Sequence, residues 1–132
     1  MNYEELMNKY NSANPFANTI GVHVTEVGDG YAQAEVEIAP MHVNTIQSLH
    51  GGVAFTLADT TTGCAARTRG QICTTIEGKL NYIRAAKLDD KKLIGKAKVV
   101  HFGRKTIVLT CDILTGKGKL IATGLFTYFV LS

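Results

Sequence analysis

Residues 51–66, GGVAFTLADTTTGCAA, constrain this chain more than any other stretch: every side chain is small, apolar or hydroxylated except one carboxylate, Asp59. Sixteen residues exceed the usual strand length and no period of two appears, so the run is predicted to be a helix. Propensity alone would not favour it, because Thr60, Thr61, Thr62 and Gly63 are poor helix formers. Small side chains on every face make sense where a helix is enclosed, by a curved sheet on one side and something else on the other. The run also falls short of the roughly 20 residues a membrane span needs.

The rest of the chain supplies the sheet. Residues 31–38, YAQAEVEI, alternate strictly, with Ala32, Ala34, Val36 and Ile38 facing one way, as a half-buried strand does. Residues 17–27 are its expected hairpin partner, joined through Gly-Asp-Gly at 28–30. Four further strands are expected near 74–84, 94–102, 106–114 and 119–130, separated by turn-forming residues. Short connections argue for antiparallel pairing. Residues 3–10 read as a short helix with Leu6, Met7 and Tyr10 on its apolar side, ended by Asn14-Pro15-Phe16. The expected fold is α+β in a single domain over residues 1–132, with one long helix laid on a six-stranded antiparallel sheet.

Composition narrows the function classes. The N-terminus is acidic and polar, unlike a secretory signal or transit peptide, and the expected location is cytoplasmic without membrane association. Cys64, Cys73 and Cys111 are widely spaced with no CxxC pair, which fits reduced packing residues better than a disulfide framework or a zinc site. His23, His42 and His101 show no ligand spacing, so no metal is assigned. Charge is uneven: one basic residue against seven acids up to residue 66, thirteen against four beyond it. A basic half can attract a polyanion. Nucleic acid is not the expected one, given no Trp and a net charge of only +3.

His50-Gly51-Gly52 opens the predicted helix. The first N–H groups of a helix lack internal partners and sit at its positive end, and glycine admits another molecule close to the backbone. Together these make a site for an anion or a polarised carbonyl. A carboxylate within a buried segment is held there by pairing or by function, so Asp59 is either a structural residue bonded to its neighbours or a working group. Gly51 and Asp59 lie eight residues apart, about 12 Å along a helix, too far to act together in one chain. Two copies packed antiparallel about a twofold axis would bring Asp59 of each beside Gly51 of the other. Asn44, in the loop before the helix, is either a turn residue or a donor to a substrate carbonyl. His50 is either a helix cap or a ligand contact. No serine nucleophile elbow and no phosphate-binding glycine loop occur.

The stretch HVNTIQSLHGGVAFTLADTTTGCA closely resembles the signature of hotdog-fold acyl-CoA thioesterases of the phenylacetic-acid-degradation type. Asn44, Gly51 and Asp59 match that family's spacing, and LNYIRAA and the last three strands resemble its later segments. The resemblance implies a hotdog fold and hydrolysis of an aryl- or medium-chain acyl-CoA in sites shared between two chains, in a homodimer or dimer of dimers. It implies no cofactor, coenzyme A being part of the substrate. By the same resemblance, the Gly51 N–H polarises the thioester carbonyl with Asn44 nearby, and Asp59 of the partner acts as general base or nucleophile. Thr75 helps hold the water, with Thr74 as the alternative register, and His50 and Gly52 lie at the thioester. Arg84 and the turn residues Arg104 and Lys105 are assigned to the coenzyme A phosphates. Gln47 stands where many members have Gly and could reach the acyl pocket; Ala85 replaces the usual Pro after Arg84. The competing expectation is a hotdog protein that binds acyl-CoA as a sensor without cleaving it. A dehydratase is disfavoured because no His follows Asp59 on the helix.

Overall fold

The computed structural model describes residues 2–132. Helix α1 spans Tyr3–Ser12 and is capped by Asn2, whose Oδ1 accepts from the Glu5 N–H at 3.1 Å. The expected stop at Asn14-Pro15-Phe16 is instead the start of a second helix, α2 (Pro15–Ile20). Proline at the first helical position has no N–H to waste, so it opens a helix as readily as it breaks one. Gly21, at φ 96°, ends α2 in the left-handed region. The first strand is consequently shorter than the 17–27 expected. β1 covers His23–Gly28 and pairs with β2 (Tyr31–Glu37) across the Asp29–Gly30 turn.

Helix α3 is the predicted one, Gly51–Ala66. After it come β3 (Cys73–Tyr82), β4 (Lys92–Phe102), β5 (Thr106–Thr115) and β6 (Leu120–Val130). All pairings are antiparallel, in the order β1-β2-β4-β5-β6-β3. The strand that directly follows the helix therefore crosses to the far edge and pairs only with β6.

The sheet curls around α3, and small residues at the centre of its inner face let the helix come close there. Ala34, Gly95, Ile113 and Ala122 lie in register across four strands, with Ala32, Ala97 and Cys111 in the next row. A Cβ on Gly95 would lie 2.9 Å from Thr61 Oγ1 and 3.0 Å from Leu57 Cγ, so the helix rests almost on the β4 backbone. Thr61 satisfies its own hydroxyl at that contact by donating to the Leu57 carbonyl at 2.6 Å. Cys64, Cys73 and Cys111 are all buried and unpaired with one another. No helix among the described residues is long and apolar enough to cross a membrane.

The close seat of α3 predicts two opposite sensitivities in urea unfolding. Leu57→Ala should destabilise by about 2–5 kcal/mol through the cavity it leaves. Gly95→Ala should destabilise by about 1–3 kcal/mol through overpacking.

Candidate active site

Along α3, Val53, Ala54, Leu57, Ala58, Thr61 and Thr62 are buried against the sheet, whereas Gly51, Gly52, Phe55, Thr56, Asp59 and Thr60 remain partly uncovered. These recur at one-turn intervals, so they form a stripe along one face. Cavities lie at both ends of it.

At the Asp59 end, two neighbouring strands reach over to hold the carboxylate. Thr75 on β3 and Tyr128 on β6 face each other across the ladder. Thr75 Oγ1 donates to Asp59 Oδ1 at 2.7 Å, and the Tyr128 hydroxyl lies 3.0 Å from the same oxygen. That hydroxyl also lies 2.6 Å from the Asp59 main-chain carbonyl, so its one proton is shared between two acceptors on Asp59. Its oxygen is left to accept from Thr62 Oγ1 at 2.8 Å. Burial, and after it the charge of Asp59, push the Tyr128 phenol above its ordinary value, so it stays a neutral donor. Asp59 Oδ2 takes no hydrogen bond among the described residues. A bulge at Ile76, between the pairs Thr75–Tyr128 and Glu77–Thr127, sits beside this contact and turns the strand there. The adjoining cavity, about 430 Å³, is walled by Tyr10, Phe16, Phe55 and Thr74.

At the Gly51 end, His50 caps the helix, its Nδ1 accepting from the Gly52 N–H at 2.9 Å. The ring proton is thereby assigned to Nε2. Gly52's donor is thus spent, whereas the Gly51 N–H has no acceptor among the described residues. The Tyr82 hydroxyl donates to the Gly51 carbonyl at 2.6 Å and would lie 3.3 Å from a Cβ at Gly51. Asn44 organises the entry loop, its Oδ1 accepting from the Ile46 and Ser48 N–H groups at 3.0 and 3.1 Å, which leaves its amide donors outward. Gln47 adopts φ 62°, the left-handed conformation that glycine takes most easily. Its side chain is exposed and lines neither cavity. Asn44, His50, Gly51, Tyr82, Arg84 and Ala85 share a groove of about 580 Å³.

Within one chain the structure keeps Asp59 apart from Gly51, as their spacing predicts, and separates Arg84 from the Arg104–Lys105 turn, which the sequence reading assigned together. Asp59 and Gly51 sit in different cavities, about 12 Å apart along the helix. Arg104 and Lys105 occupy the exposed β4–β5 turn, beside the Cys73–Val130 end of the sheet, where the Val130 N–H donates to the Lys105 carbonyl. Arg84 follows the opposite end of β3, roughly 30 Å away for the nine residue steps from Cys73 to Tyr82. Tyr128 was not singled out from the sequence. Its alternation with Phe126 in β6 carried the signal, because an inward tyrosine must find a partner for its hydroxyl.

A family model described as Thioesterase superfamily matches residues 47–122, and one described as Domain of unknown function (DUF4442) matches residues 4–76. The chain is 32% identical over 103 residues to a candidate esterase of Archaeoglobus fulgidus, spanning 78% of this chain and 66% of that one. It is 27% identical over 106 residues to acyl-coenzyme A thioesterase PaaI of Escherichia coli, spanning 80% and 75%. A hypothetical thioesterase of Streptococcus pneumoniae, solved with coenzyme A, superposes with a TM-score of 0.85 at 28% identity, over 96% and 97% of the two chains. That protein was also solved with an aspartate and, separately, a threonine replaced by alanine; the two positions are 16 apart, as are Asp59 and Thr75. The chain belongs to the thioesterase superfamily. Within it, this is a hotdog-fold thioester hydrolase of the PaaI-like type.

Tyr128→Phe removes a buried hydroxyl that serves Asp59 and Thr62, and should destabilise the fold by about 1–2 kcal/mol in urea unfolding. The same substitution at the half-buried Tyr3, whose hydroxyl makes no hydrogen bond among the described residues, should leave the midpoint within experimental error.

Proposed function

We propose that this protein is an acyl-CoA thioesterase whose two sites are each assembled from two copies of the chain. One observation carries the reading: a carboxylate with one oxygen anchored and the other free shares a single uncovered helix stripe with an unsatisfied backbone donor, Gly51 N–H, at the stripe's far end. Antiparallel packing of two such stripes would set Asp59 beside the partner's Gly51 twice over. β3 supports the same arrangement. It is a ten-residue edge strand with Ile76 57% exposed, a ready template for pairing with its own copy about the same axis. That pairing would also carry the partner's Arg84 to the end where Arg104 and Lys105 lie, so that one coenzyme A could meet all three cations.

In this reading the thioester carbonyl oxygen accepts from the partner's Gly51 N–H, with the Asn44 amide and the His50 Nε2–H as nearby donors. Asp59 Oδ2 takes a proton from water as the water oxygen attacks the carbonyl carbon. Thr75 and Tyr128 hold the other carboxylate oxygen, fixing which lone pair faces the water. The oxyanion is stabilised by the Gly51 N–H at the positive end of α3. Collapse breaks the C–S bond, and the proton on Asp59 passes to the leaving thiolate, giving a free acid and coenzyme A. No further cofactor is required, and buried reduced cysteines fit a cytoplasmic setting.

The test follows loss of the thioester directly, because the protein's own thiols would react with a thiol reagent. Asp59→Asn should lower turnover about 10²–10⁴-fold with the fold retained. A well-folded variant with near-normal turnover would refute the assignment, and acyl-CoA binding without turnover by the wild type would favour a sensor. Sharing is tested by mixing. Gly51→Pro deletes the donor at a position where helices accept proline. Each single variant should be nearly inactive, yet subunit exchange between Asp59→Asn and Gly51→Pro should restore about a quarter of wild-type activity, through the one intact site of each mixed dimer. Sites confined to one chain would restore none.

A further inference from the structure

Beyond Asp59, one turn further along α3, the helix reaches Gly63, about 6 Å on. There a Cβ would lie 3.2 Å from the Tyr10 hydroxyl and 3.2 Å from that of Tyr128. The Tyr128 hydroxyl is fully engaged, as described above. The Tyr10 hydroxyl is not: the residue is 9% exposed, lines the Asp59 cavity, and its hydroxyl makes no hydrogen bond among the described residues. Burial holds the phenol above its ordinary value, so it offers a proton across the working pH range.

Behind Tyr10 lies a second, smaller cavity of about 130 Å³ that shares Tyr10 and Asn14 with the first and is otherwise lined by Lys9, Ala13 and Arg67. The Arg67 guanidinium stands 5.8 Å from the Tyr10 ring centroid. It donates through Nη2 to the Cys73 carbonyl at 2.8 Å, its Nε is buried without an acceptor, and it forms no salt bridge among the described residues. Arg67 caps the C-terminal end of α3, whose negative pole and the Cys73 carbonyl offset part of its charge, but no carboxylate pairs with it among the described residues. No acid lines the smaller cavity, and Asp59 is the only one lining the larger. The Asp59 cavity thus ends in two unused hydrogen-bond formers, Tyr10 and Asn14, backed by two cations.

We propose that this is a subsite for a carboxylate at the distal end of the acyl group, so that the preferred substrates are coenzyme A thioesters of short dicarboxylic acids. The inference rests on the hydrolase reading above. The carboxylate would accept from the Tyr10 hydroxyl and the Asn14 amide, while Arg67 and Lys9 supply the balancing charge from behind. The turn of helix between Asp59 and Gly63 suits an extended acyl chain of about five or six carbons.

Adipoyl-CoA and hexanoyl-CoA have the same chain length and differ only in that terminal carboxylate, so their kcat/KM ratio reads the subsite. The wild type should favour adipoyl-CoA by at least about tenfold, the scale of hydrogen bonds to a charged group. Tyr10→Phe and Arg67→Gln should each lower the ratio by about tenfold, with circular dichroism and melting showing an intact fold. Salt should compress the wild-type ratio, since it screens the cations. A wild type that prefers hexanoyl-CoA, or variants that lower both substrates alike, would overturn the subsite while leaving the hydrolase standing. Absence of turnover on every acyl-CoA would overturn the hydrolase and the subsite with it.

Discussion

Everything in this structure depends on how close one helix comes to one sheet. The contact between α3 and Gly95, flanked by Ala34 and Ala97, lets the helix sit close against β4 while the strands curl around it. The curl determines which residues are left over. A sheet can cover most of a helix but not all of it, and the uncovered remainder is the stripe from Gly51 to Thr60. The proposed chemistry therefore falls on the face that the sheet leaves uncovered. The threonines of the helix fit the same demand: Thr61 turns its hydroxyl back onto the Leu57 carbonyl of the preceding turn and needs no outside partner, whereas Thr62 finds one in the Tyr128 hydroxyl.

Much of this was legible in the sequence because the relevant signals are local. Sixteen residues without alternation required a helix, and β2 announced itself by strict alternation. What was not legible has specific causes. Pro15 has two opposite meanings, and which applies depends on whether the next residues find something to pack on; Ala17, 3% exposed, does. Strand order is not local at all. Nothing in residues 73–82 says that their neighbour is β6 rather than β2, because either pairing would satisfy the same hydrogen bonds.

The candidate site divides along the same line. Asp59 and Gly51 stood out because a lone carboxylate and a glycine pair are anomalies in their segment. Tyr128 did not, since a tyrosine in an apolar strand is ordinary until the carboxylate opposite is known. Arg84 and the Arg104–Lys105 turn were linked through their charge, and within one chain they stand at opposite ends of β3, so a single ligand meets all three only across two copies. Gln47 is a different case, where a residue other than glycine takes up the left-handed backbone conformation that glycine adopts most easily.

The capping bond from Gly52 to His50 has an effect that reaches past the helix end. It consumes the acceptor of the imidazole, as the bonds from Ile46 and Ser48 consume the acceptor of Asn44. What remains outward from Gly51, Asn44, His50 and Arg84 can only give hydrogen bonds, never take them. At the opposite end of the stripe, Asp59 can only take. The uncovered face is thus polarised along its length like a two-pole plug, a contact of fixed sense. Two copies laid side by side in the same direction would set donors against donors and carboxylate against carboxylate. Reversing one of them turns every clash into a match, so the direction in which two such faces can meet is already written into a single chain.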